Sequence, residues 1–380
     1  MKLVIISHTE HHLRDGVPVG WGPTVREISQ LAGMFSSIRH VAMLYDGGAP
    51  QGEVAYDADN VTLVGLRPSG GSGLRAKLGI LAAYPRYAAV LLREIAAADV
   101  VHVRAPANIS LLAILLLPFL WRPARRWIKY AGNWKPDAPD ALTYRLQRWL
   151  LQRGWHRAQV TVNGHWPGDP PFIHNFINPC LTDEEFAGGQ VVGSGKTMST
   201  PLRLLFVGRL ERAKGVERGL RVAAALRASG VALTYDLIGD GPERADLEAL
   251  AGSLGLSDSV TFHGWVARAE IAPFYSQAHL LLFPTSSSEG WPKVISEAMA
   301  YGVVPLAGAV SAIPQVLEQF KVGMAIPPGD LDAYTAAARA YLDDPARWTS
   351  ESRRAMDAAA RFTYSRFMQD VRCVLDLPAT

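Results

Sequence analysis

Short apolar runs alternate with longer amphipathic segments along the whole chain, a pattern that predicts strands alternating with helices. In the first half, the apolar runs predict strands at Lys2–Ser7, His40–Leu44, Val61–Val64, Val100–Val103, Trp127–Tyr130 and Gln159–Val162. In the second half, they predict strands at Leu202–Val207, Thr234–Ile238, Val260–His263, Leu280–Phe283, Val303–Leu306 and Met324–Ile326. Strands that are separated by helices form mostly parallel sheets, so the sequence predicts an α/β protein.

The alternation is interrupted near the middle of the chain. Asn178-Pro179-Cys180 leads into residues 188–196, which are rich in Gly and Ser and typical of an exposed connection. A chain of 380 residues exceeds what a single core normally supports. We therefore expect two domains, 1–179 and 180–362, with the boundary near Pro179.

The N-terminal run Met1–Ser7 is a short apolar stretch that enters a loop directly, without the longer apolar core and cleavage site of a signal peptide. The longest apolar run, Ile109–Trp121, is broken by Pro118 and is too short to span a bilayer. The two cysteines, Cys180 and Cys373, offer neither a disulfide framework nor metal-ligand spacing, which favours a reducing compartment. We therefore expect a cytoplasmic protein.

Two carboxylates eight positions apart surround the predicted start of a helix in the second half. Pro292 marks the first helical position and Gly302 closes the segment. Glu289 then lies in the loop before the helix, and Glu297 lies about one and a half turns inside it. The segment follows the strand Leu280–Phe283, and open α/β sheets bind ligands at the carboxyl ends of their strands. A helix N-terminus in this position suits a phosphate, although two acids on a helix can also form a solvated surface.

A pair of cations follows the strand Leu202–Val207, across a turn that begins with Gly208. Glycine lets the backbone approach a ligand, Arg209 offers a planar fork of donors, and Lys214 offers a mobile point charge. Two cations five positions apart across a strand-to-helix turn can converge on one anion. The alternative is a pair of ordinary surface cations.

These two segments resemble the retaining glycosyltransferases of family 4. The Glu-x7-Glu spacing with its Glu-Gly-x-Pro opening, and the strand, Gly-Arg turn and Lys-Gly helix entry, match that family between Leu202 and Arg361. The resemblance implies the GT-B fold, with two Rossmann-like domains facing across a cleft. It also implies that the last segment, 363–380, contains a helix that returns to the first domain. The expected donor is a nucleotide diphosphate sugar of the UDP or GDP type, with no cofactor and no metal.

The resemblance also implies roles for single residues. Arg209 and Lys214 would bind the donor diphosphate, and Glu289 would lie beside the donor sugar, so these three are the expected catalytic residues. Glu297 would bind the ribose hydroxyls. The remaining donor-binding residues lie in the helix N-terminus, in the turn near the base and in the glycine-bearing first loop: Gly290, Trp291, Pro292, Lys293, Trp265, Val266, Gly20 and Gly22.

Three residues are candidates for the acceptor side. Many members of the family carry a His in the first-domain turn where this chain has Gly132 or Asn133, so we expect the departing phosphate to accept the acceptor's proton. His102 and Arg104 lie near the end of a predicted strand and join Asn133 as acceptor-side candidates. A lone His is more often a structural residue than a catalytic one.

Positive charge is concentrated in one segment. Between Arg104 and Arg157 ten Arg and Lys residues stand against two acids, a net charge of +8, whereas the whole chain carries +3. The interleaved tryptophans are Trp121, Trp127, Trp134, Trp149 and Trp155. Such a surface suits an anionic membrane, a nucleic acid or an anionic polymer. No nucleic-acid module accompanies it, so we expect no nucleic-acid partner. The alternative is a solvated surface whose tryptophans belong to the core.

We therefore expect a retaining glycosyltransferase of the hexosyltransferase type, with a glycan or lipid-linked acceptor, in cell-surface polysaccharide or glycolipid synthesis. Peripheral contact with an anionic membrane, at its inner face, is part of this expectation. One alternative is an epimerase or phosphorylase of the same fold. The other is a non-catalytic protein that binds glycans or membranes. The intact set of Arg209, Lys214, Glu289 and Glu297 argues against the second alternative.

Overall fold

The computed structural model describes residues 1–69, 74–136 and 140–378. In this part of the chain, strands and helices mostly alternate as predicted, but a short strand and no helix lies between the predicted strands His40–Leu44 and Val61–Val64. The strands are β1 (Lys2–Arg14), β2 (Val17–Trp21), β3 (Ser37–Leu44), β4 (Glu53–Ala55), β5 (Val61–Leu66), β6 (Val100–Ala105), β7 (Arg125–Tyr130), β8 (Gln159–Val162), β9 (Ile173–Asn175), β10 (Leu202–Val207), β11 (Leu233–Ile238), β12 (Val260–Gly264), β13 (Leu280–Phe283), β14 (Val304–Gly308) and β15 (Met324–Ile326). The helices are α1 (Gly22–Ala32), α2 (Leu74–Ala96), α3 (Asn108–Leu116), α4 (Leu142–Arg153), α5 (Asp183–Ser194), α6 (Val216–Ala228), α7 (Arg244–Ser253), α8 (Ala272–Gln277), α9 (Lys293–Ala300), α10 (Ile313–Phe320), α11 (Leu331–Asp343), α12 (Pro345–Ala359) and α13 (Tyr364–Leu375).

The chain divides into two compact units. Unit 1 comprises Met1–Ile177 together with Phe367–Thr380, and unit 2 comprises Asn178–Arg366. Unit 1 contains a parallel sheet in the order β5-β3-β1-β6-β7-β8-β9. Past Ile6, β1 continues into an antiparallel ladder with β2, and β2 pairs in turn with β4.

The sheet of unit 2 is parallel throughout, in the order β12-β11-β10-β13-β14-β15. The order reverses between β10 and β13, which are neighbours in the sheet although two other strands separate them in sequence. Loops that follow these two strands diverge at such a switch point and leave a crevice there, which is where open α/β sheets bind ligands.

Helix α13 belongs to the core of unit 1. Its residues Phe367, Val371 and Leu375 are buried in a cluster with Leu3 of β1 and Trp127 of β7. Burial of these side chains follows from the spacing of the three apolar residues, which places them on one side of the helix. None of the helices in the described ranges is both long and apolar enough to cross a lipid bilayer.

All twelve predicted strands are present within the described residues, and β8, β10, β13 and β15 have the predicted bounds. The predicted loop after the first strand is wrong, because β1 and β2 form a hairpin around Asp15 and Gly16. Both residues have positive φ, 52° and 80°. An Asp-Gly pair between strands is a strong hairpin signal, and the prediction of a loop did not take it into account.

The predicted exposed connection at residues 188–196 is also wrong, because helix α5 covers most of it. Thr182 and Glu185 form a capping box at its N-terminus, with both reciprocal hydrogen bonds present. Within the helix, a Cβ at Gly189 would lie 2.6 Å from the carbonyl oxygen of Ala300. A Cβ at Gly193 would lie 2.4 Å from the sulfur of Met356. Close packing of α5 thus requires these glycines. In the sequence, the same glycines made the segment look like a linker.

Candidate functional site

Lys214 and Glu289 meet at the switch point of unit 2. Lys214 ends a short 3-10 turn that follows β10, and Glu289 lies in the loop that follows β13. Their side chains form an ion pair. The lysine side chain is 12% exposed and the glutamate side chain 41%, so the pair lies at the surface of the crevice with the carboxylate facing outward. The structure therefore brings together one predicted cation and one predicted carboxylate.

Backbone contacts fix this meeting point. Gly215 has φ of +85°, and a Cβ there would lie 2.1 Å from the carbonyl oxygen of Pro284. The amide of Ser286 donates to the carbonyl oxygen of Ala213 at 2.8 Å. Arg218, in the first turn of α6, donates from Nε to the carbonyl oxygen of Pro284 at 2.8 Å. Only glycine fits between the two loops, and the hydrogen bonds hold them in register.

Glycines also bring the ends of β10 and β11 together. A Cβ at Gly239 would lie 2.0 Å from the carbonyl oxygen of Gly208, and both glycines have positive φ. Arg209 comes directly after Gly208 in the chain, and its side chain is 67% exposed. Its Nε lies 3.6 Å from the carboxylate of Glu211 rather than against Lys214. An exposed guanidinium at this position is accessible to an anion from solvent.

Helix α9 begins one residue later than predicted. Pro292 has an extended backbone and is the N-cap, so Lys293 is the first helical residue. Among the residues that the structure describes, no side chain caps this end of the helix. Gly290 is buried in the preceding loop. The positive end of the helix dipole thus lies beside the loop that carries Glu289, which favours an anion nearby.

The two predicted donor-binding tryptophans have different environments. Trp291 is only 6% exposed; its Nε1 donates to Ser296 Oγ at 2.7 Å, and its ring stacks on Phe362. Its indole therefore belongs to the core, and only its backbone can contact a ligand. Trp265 is 46% exposed and follows Gly264, which has φ of +72° at the end of β12, while Val266 is half-buried.

Glu297 is buried within a network of charged and polar groups. Its Oε1 accepts from Arg268 Nη1 at 2.5 Å, and its Oε2 accepts from the Tyr275 hydroxyl at 3.0 Å. Arg268 also binds both carboxylate oxygens of Glu185 at 2.8 Å, and it donates to the carbonyl oxygen of Cys180. Burial lowers the pKa of Arg268, but the carboxylates of Glu297 and Glu185 outweigh that effect and raise it.

Arg268 and Tyr275 are residues that sequence reasoning missed. They precede Glu297 by 29 and 22 positions, and neither lies in a motif. Burial, followed by the Glu297 carboxylate, raises the pKa of Tyr275 well above its ordinary value, so its hydroxyl stays a donor. The network fixes the carboxylate of Glu297, whose oxygens each retain a lone pair for another donor.

His102 does not reach a surface. Its side chain is fully buried on β6 and stacks on Trp127, with ring centroids 3.7 Å apart. Its Nδ1 lies 3.4 Å from the carbonyl oxygen of Trp127, and its Nε2 lacks a hydrogen-bond partner among the described residues. Burial, together with the charge of Arg104, keeps the pKa of His102 well below 6.5. His102 was expected near a ligand surface, but that expectation is wrong. The residue lies in the middle of β6, where its side chain is fully buried.

The other two acceptor-side candidates have internal partners. Arg104 Nη1 donates to Glu27 Oε1 at 2.6 Å, and Lys129 Nζ binds the same carboxylate at 2.8 Å and 2.9 Å. Asn133 is 8% exposed, and its Oδ1 accepts from the amide of Lys135 at 3.2 Å. Arg104 is therefore part of an ion-pair network with a carboxylate of α1, a partner that the sequence did not indicate.

Gly20 and Gly22 do not lie in a loop. Gly20 is the fourth residue of β2, and a Cβ there would lie 2.6 Å from the ring of His11. Gly22 is the first residue of α1, and a Cβ there would lie 3.1 Å from the carbonyl oxygen of Gly52. Packing inside unit 1 thus accounts for both glycines.

Comparison with known proteins finds similarity in the second half of the chain. Residues 194–362 match the family of glycosyl transferases group 1. The chain is 34% identical to alpha-D-kanosaminyltransferase of Streptomyces kanamyceticus over 37% of this chain and 36% of that protein. It is 30% identical to the putative colanic acid biosynthesis glycosyltransferase WcaL of Salmonella typhimurium over 38% of this chain and 36% of that protein. These matches span little more than a third of the length of either relative.

Solved structures extend the similarity to the fold of the whole chain. HepE from Anabaena, determined in complex with UDP, superposes with a TM-score of 0.69 at 18% sequence identity, and the match covers 99% of this chain and 100% of that one. The fold is therefore GT-B, as predicted from the sequence.

Proposed function

We propose that the protein is a retaining glycosyltransferase of family 4 and of the hexosyltransferase type. It would transfer a sugar from a nucleotide diphosphate sugar to a glycan or lipid-linked acceptor, in the synthesis of a cell-surface polysaccharide or glycolipid. The observation that carries the proposal is the ion pair of Lys214 and Glu289 at the switch point of unit 2. It lies within the residues that match the group 1 glycosyl transferases.

The charges at this site suit the departure of a nucleoside diphosphate. When the bond between the sugar and the phosphate breaks, negative charge develops on the diphosphate and positive charge develops on the sugar ring. Lys214, Arg209 and the N-terminus of α9 would stabilise the leaving group, and the Glu289 carboxylate would lie beside the sugar. Because the loop of Lys214 and the N-terminus of α9 are held in place before the donor arrives, little reorganisation of them is needed in the transition state.

The fixed carboxylate of Glu297 suits the ribose of the donor. With Arg268 and Tyr275 occupying one lone pair on each oxygen, Glu297 can still accept from ribose hydroxyls. A donor of the UDP type is favoured over the GDP type, because HepE, which has the same fold, was crystallised with UDP. The name of WcaL, with its reference to colanic acid, supports a polysaccharide as product.

No histidine that we singled out is placed to take the acceptor's proton, because His102 is buried. We infer that the departing phosphate accepts this proton while the acceptor attacks on the side of the sugar that the phosphate leaves. Retention of the anomeric configuration follows from such an attack.

A cytoplasmic location and a peripheral contact with an anionic membrane belong to the same proposal. Both cysteines are free, Cys180 buried and Cys373 exposed, which fits a reducing compartment. A lipid-linked acceptor would be presented at such a membrane surface.

The experiment that tests this function begins with binding. The protein is heated with UDP, GDP or ADP, and with their sugars, and its unfolding is followed. A ligand at a hundred times its dissociation constant stabilises the folded state by about 2.7 kcal/mol, so the donor class is identified by the largest shift. Transfer to a panel of glycan and glycolipid acceptors is then measured, and NMR reports the anomeric configuration of the product. Donor binding without transfer to any acceptor would favour a non-catalytic protein, and inversion would exclude the proposed mechanism.

Lys214→Ala is the variant that tests the site itself. We expect turnover to fall about a hundred- to a thousandfold, the usual effect of removing one donor that stabilises a developing anion. Binding of the free nucleoside should change little, because it has no phosphate. Arg221→Ala is the matched control, since Arg221 forms an exposed ion pair with Glu217 on α6. Unchanged turnover in Lys214→Ala would remove the lysine from the mechanism.

A further inference from the structure

Helix α4 presents apolar side chains on two sides. Gln147, Leu150 and Leu151 are buried against unit 1. Leu142, Leu146 and Trp149 are 77%, 43% and 43% exposed, and their spacing of four and three positions places them in one stripe along the helix. A helix at the surface of a protein in water normally carries polar residues on its outer side. The outer stripe of α4 therefore requires an explanation beyond folding.

Aromatic residues extend this stripe onto two neighbouring loops. Trp149 contacts Trp155 edge to face, with ring centroids 5.5 Å apart. Two residues further along, the Arg157 guanidinium lies 5.4 Å from the ring centre of Trp121. Trp121 is 86% exposed and Phe119 is 82% exposed. We call Phe119, Trp121, Trp149 and Trp155, together with Leu142 and Leu146, the aromatic platform.

A buried arginine holds the loops that present the platform. Arg126 is 3% exposed, and within the described residues its side chain donates to four backbone carbonyl oxygens. Two of these oxygens belong to Leu117, at 2.8 Å, and Leu120, which lie on either side of Phe119. A third belongs to Pro123, at 2.8 Å, just past Trp121. Arg126 also reaches the carbonyl oxygen of His156, next to Trp155, at 3.1 Å. The exposed rings are therefore carried by a fixed backbone rather than by unsupported loops.

The charge around the platform is positive. Arg122, Arg145, Arg153 and Arg157 are exposed. Between Phe119 and Arg157 the sequence has two acids, Asp137 and Asp140. Asp140 is engaged by Arg148 through two hydrogen bonds, of 2.5 Å and 2.9 Å. This segment therefore supplies few carboxylates to neutralise the arginines around the rings.

We propose that the aromatic platform is a docking surface for an anionic lipid bilayer. The rings and leucines enter the boundary between headgroups and acyl chains, and the surrounding arginines bind lipid phosphates. Tryptophan suits this boundary because its ring is apolar and its N–H is polar. A second copy of the chain is a poorer occupant, since pairing two such surfaces would bring like charges together. This inference rests on the membrane contact that is part of the proposed function and names the surface that makes it, but it does not require glycosyl transfer itself.

The test uses the full chain and vesicles of two compositions, phosphatidylcholine alone and phosphatidylcholine with phosphatidylglycerol. We expect cosedimentation and a blue shift of tryptophan fluorescence only with the anionic vesicles, and weaker binding at high salt. Replacing Arg122, Arg153 and Arg157 by Gln should reduce binding about fivefold for each arginine. The double variant Phe119→Ser/Trp121→Ser should abolish the blue shift.

Matched controls separate docking from general surface effects. Trp21→Ser removes a tryptophan of unit 1 that is 55% exposed and lies outside the platform, and it should bind like the parent protein. Arg339→Gln removes an exposed arginine of unit 2 and should also leave binding unchanged. Circular dichroism confirms that each variant is folded. With a water-soluble acceptor, the platform variants should keep their transfer activity, so failure of docking and failure of the proposed function can be distinguished.

Three results would overturn the proposal. The first is equal binding to neutral and anionic vesicles. The second is unchanged vesicle binding in the folded platform variants. The third is a dimer in analytical ultracentrifugation that dissociates when Phe119 and Trp121 are replaced, since a second copy of the chain would then be the occupant.

Discussion

Arg268 links the two carboxylates of the charge network around Glu297. It satisfies two carboxylates and one backbone carbonyl, and its own side chain is only 26% exposed. Arg268→Met would remove the cation that binds both Glu297 and Glu185. Removing one partner of a buried ion pair costs up to about 3–5 kcal/mol, and partial exposure should reduce that cost here.

We expect Arg268→Met to lower the free energy of unfolding in urea and to weaken binding of nucleotides that carry a ribose. Arg339→Met is the control, because the exposed pair of Arg339 and Asp343 contributes no more than about 1 kcal/mol. If Arg268→Met lowered stability without changing nucleotide affinity, the network would be structural only, and Glu297 would not depend on it for ligand binding.

His102 supplies a prediction for the dependence of activity on pH. Because burial keeps its pKa well below 6.5, the imidazole is neutral throughout the neutral range and exchanges no proton with solvent there. The pH–rate profile should therefore lack a limb near about 6.5. A limb at that pH that disappears in His102→Gln, but not in the exposed control His165→Gln, would show that His102 takes part in proton transfer after all.

Single residues differed in how far the sequence could identify them. Lys214 and Glu289 follow strands directly and belong to motifs of fixed spacing, so their roles could be proposed from the chain alone. Arg268 and Tyr275 act through contacts made by folding, and a single sequence carries no sign of those contacts. His102 looked accessible because strand position alone does not give burial.

Helix α5 shows how packing can override composition at the scale of an element. Glycine normally weakens a helix, because it loses more conformational freedom on folding than other residues. Here Gly189 and Gly193 allow α5 to approach the backbone at Ala300 and Tyr301, at the end of α9. The stabilisation of α5 by this packing depends on helix α9, which lies about a hundred residues further along the chain. Local sequence patterns cannot reveal such a contact.

The same substitution at two adjacent glycines of α5 tests this explanation. Gly188→Ala has open space around the added methyl group and should stabilise the protein by about 0.5–1 kcal/mol. Gly189→Ala places the methyl group 2.6 Å from the carbonyl oxygen of Ala300 and should destabilise it, as overpacking does, by about 1–3 kcal/mol. Urea denaturation of both variants measures the difference. Equal effects at the two positions would mean that α5 does not pack as described.

For the whole molecule, Lys196 links stability to pH. Its Nζ donates to the carbonyl oxygens of Tyr275 and Tyr301, both at 3.0 Å. Burial, with a smaller effect from Arg203, lowers the pKa of Lys196 to about 7. Between that value and the ordinary value of 10.5, the unfolded chain holds a proton that the folded protein has released. By linkage, the free energy of unfolding should rise with pH across this window.

Lys196→Met should remove this rise, because the variant has no group to titrate there. The measurement is urea denaturation of both proteins from about pH 7 to pH 9, a range that lies inside the window. A parallel pH dependence in the two proteins would show that Lys196 keeps its charge when folded.

Much of the architecture could be predicted from the sequence, because buried parallel strands appear there as short apolar runs. The helices between these runs then imply that the sheets are parallel. The strands that were missed, β2, β4 and β9, are short or lie outside that pattern. In β1 and β2, polar residues such as His11 and His12 are buried through hydrogen bonds to Tyr56 and Glu53, so hydrophobicity alone did not reveal the hairpin.

The return of the chain to unit 1 has a consequence for its synthesis. Unit 2 is encoded as one continuous stretch, whereas the core of unit 1 needs Phe367, Val371 and Leu375, which follow unit 2 in sequence. On the ribosome, residues 1–177 emerge before unit 2, yet they must wait for helix α13 until unit 2 has been synthesised. Unit 2 can therefore become fully packed before unit 1 does, the reverse of the usual order from the N-terminus onward.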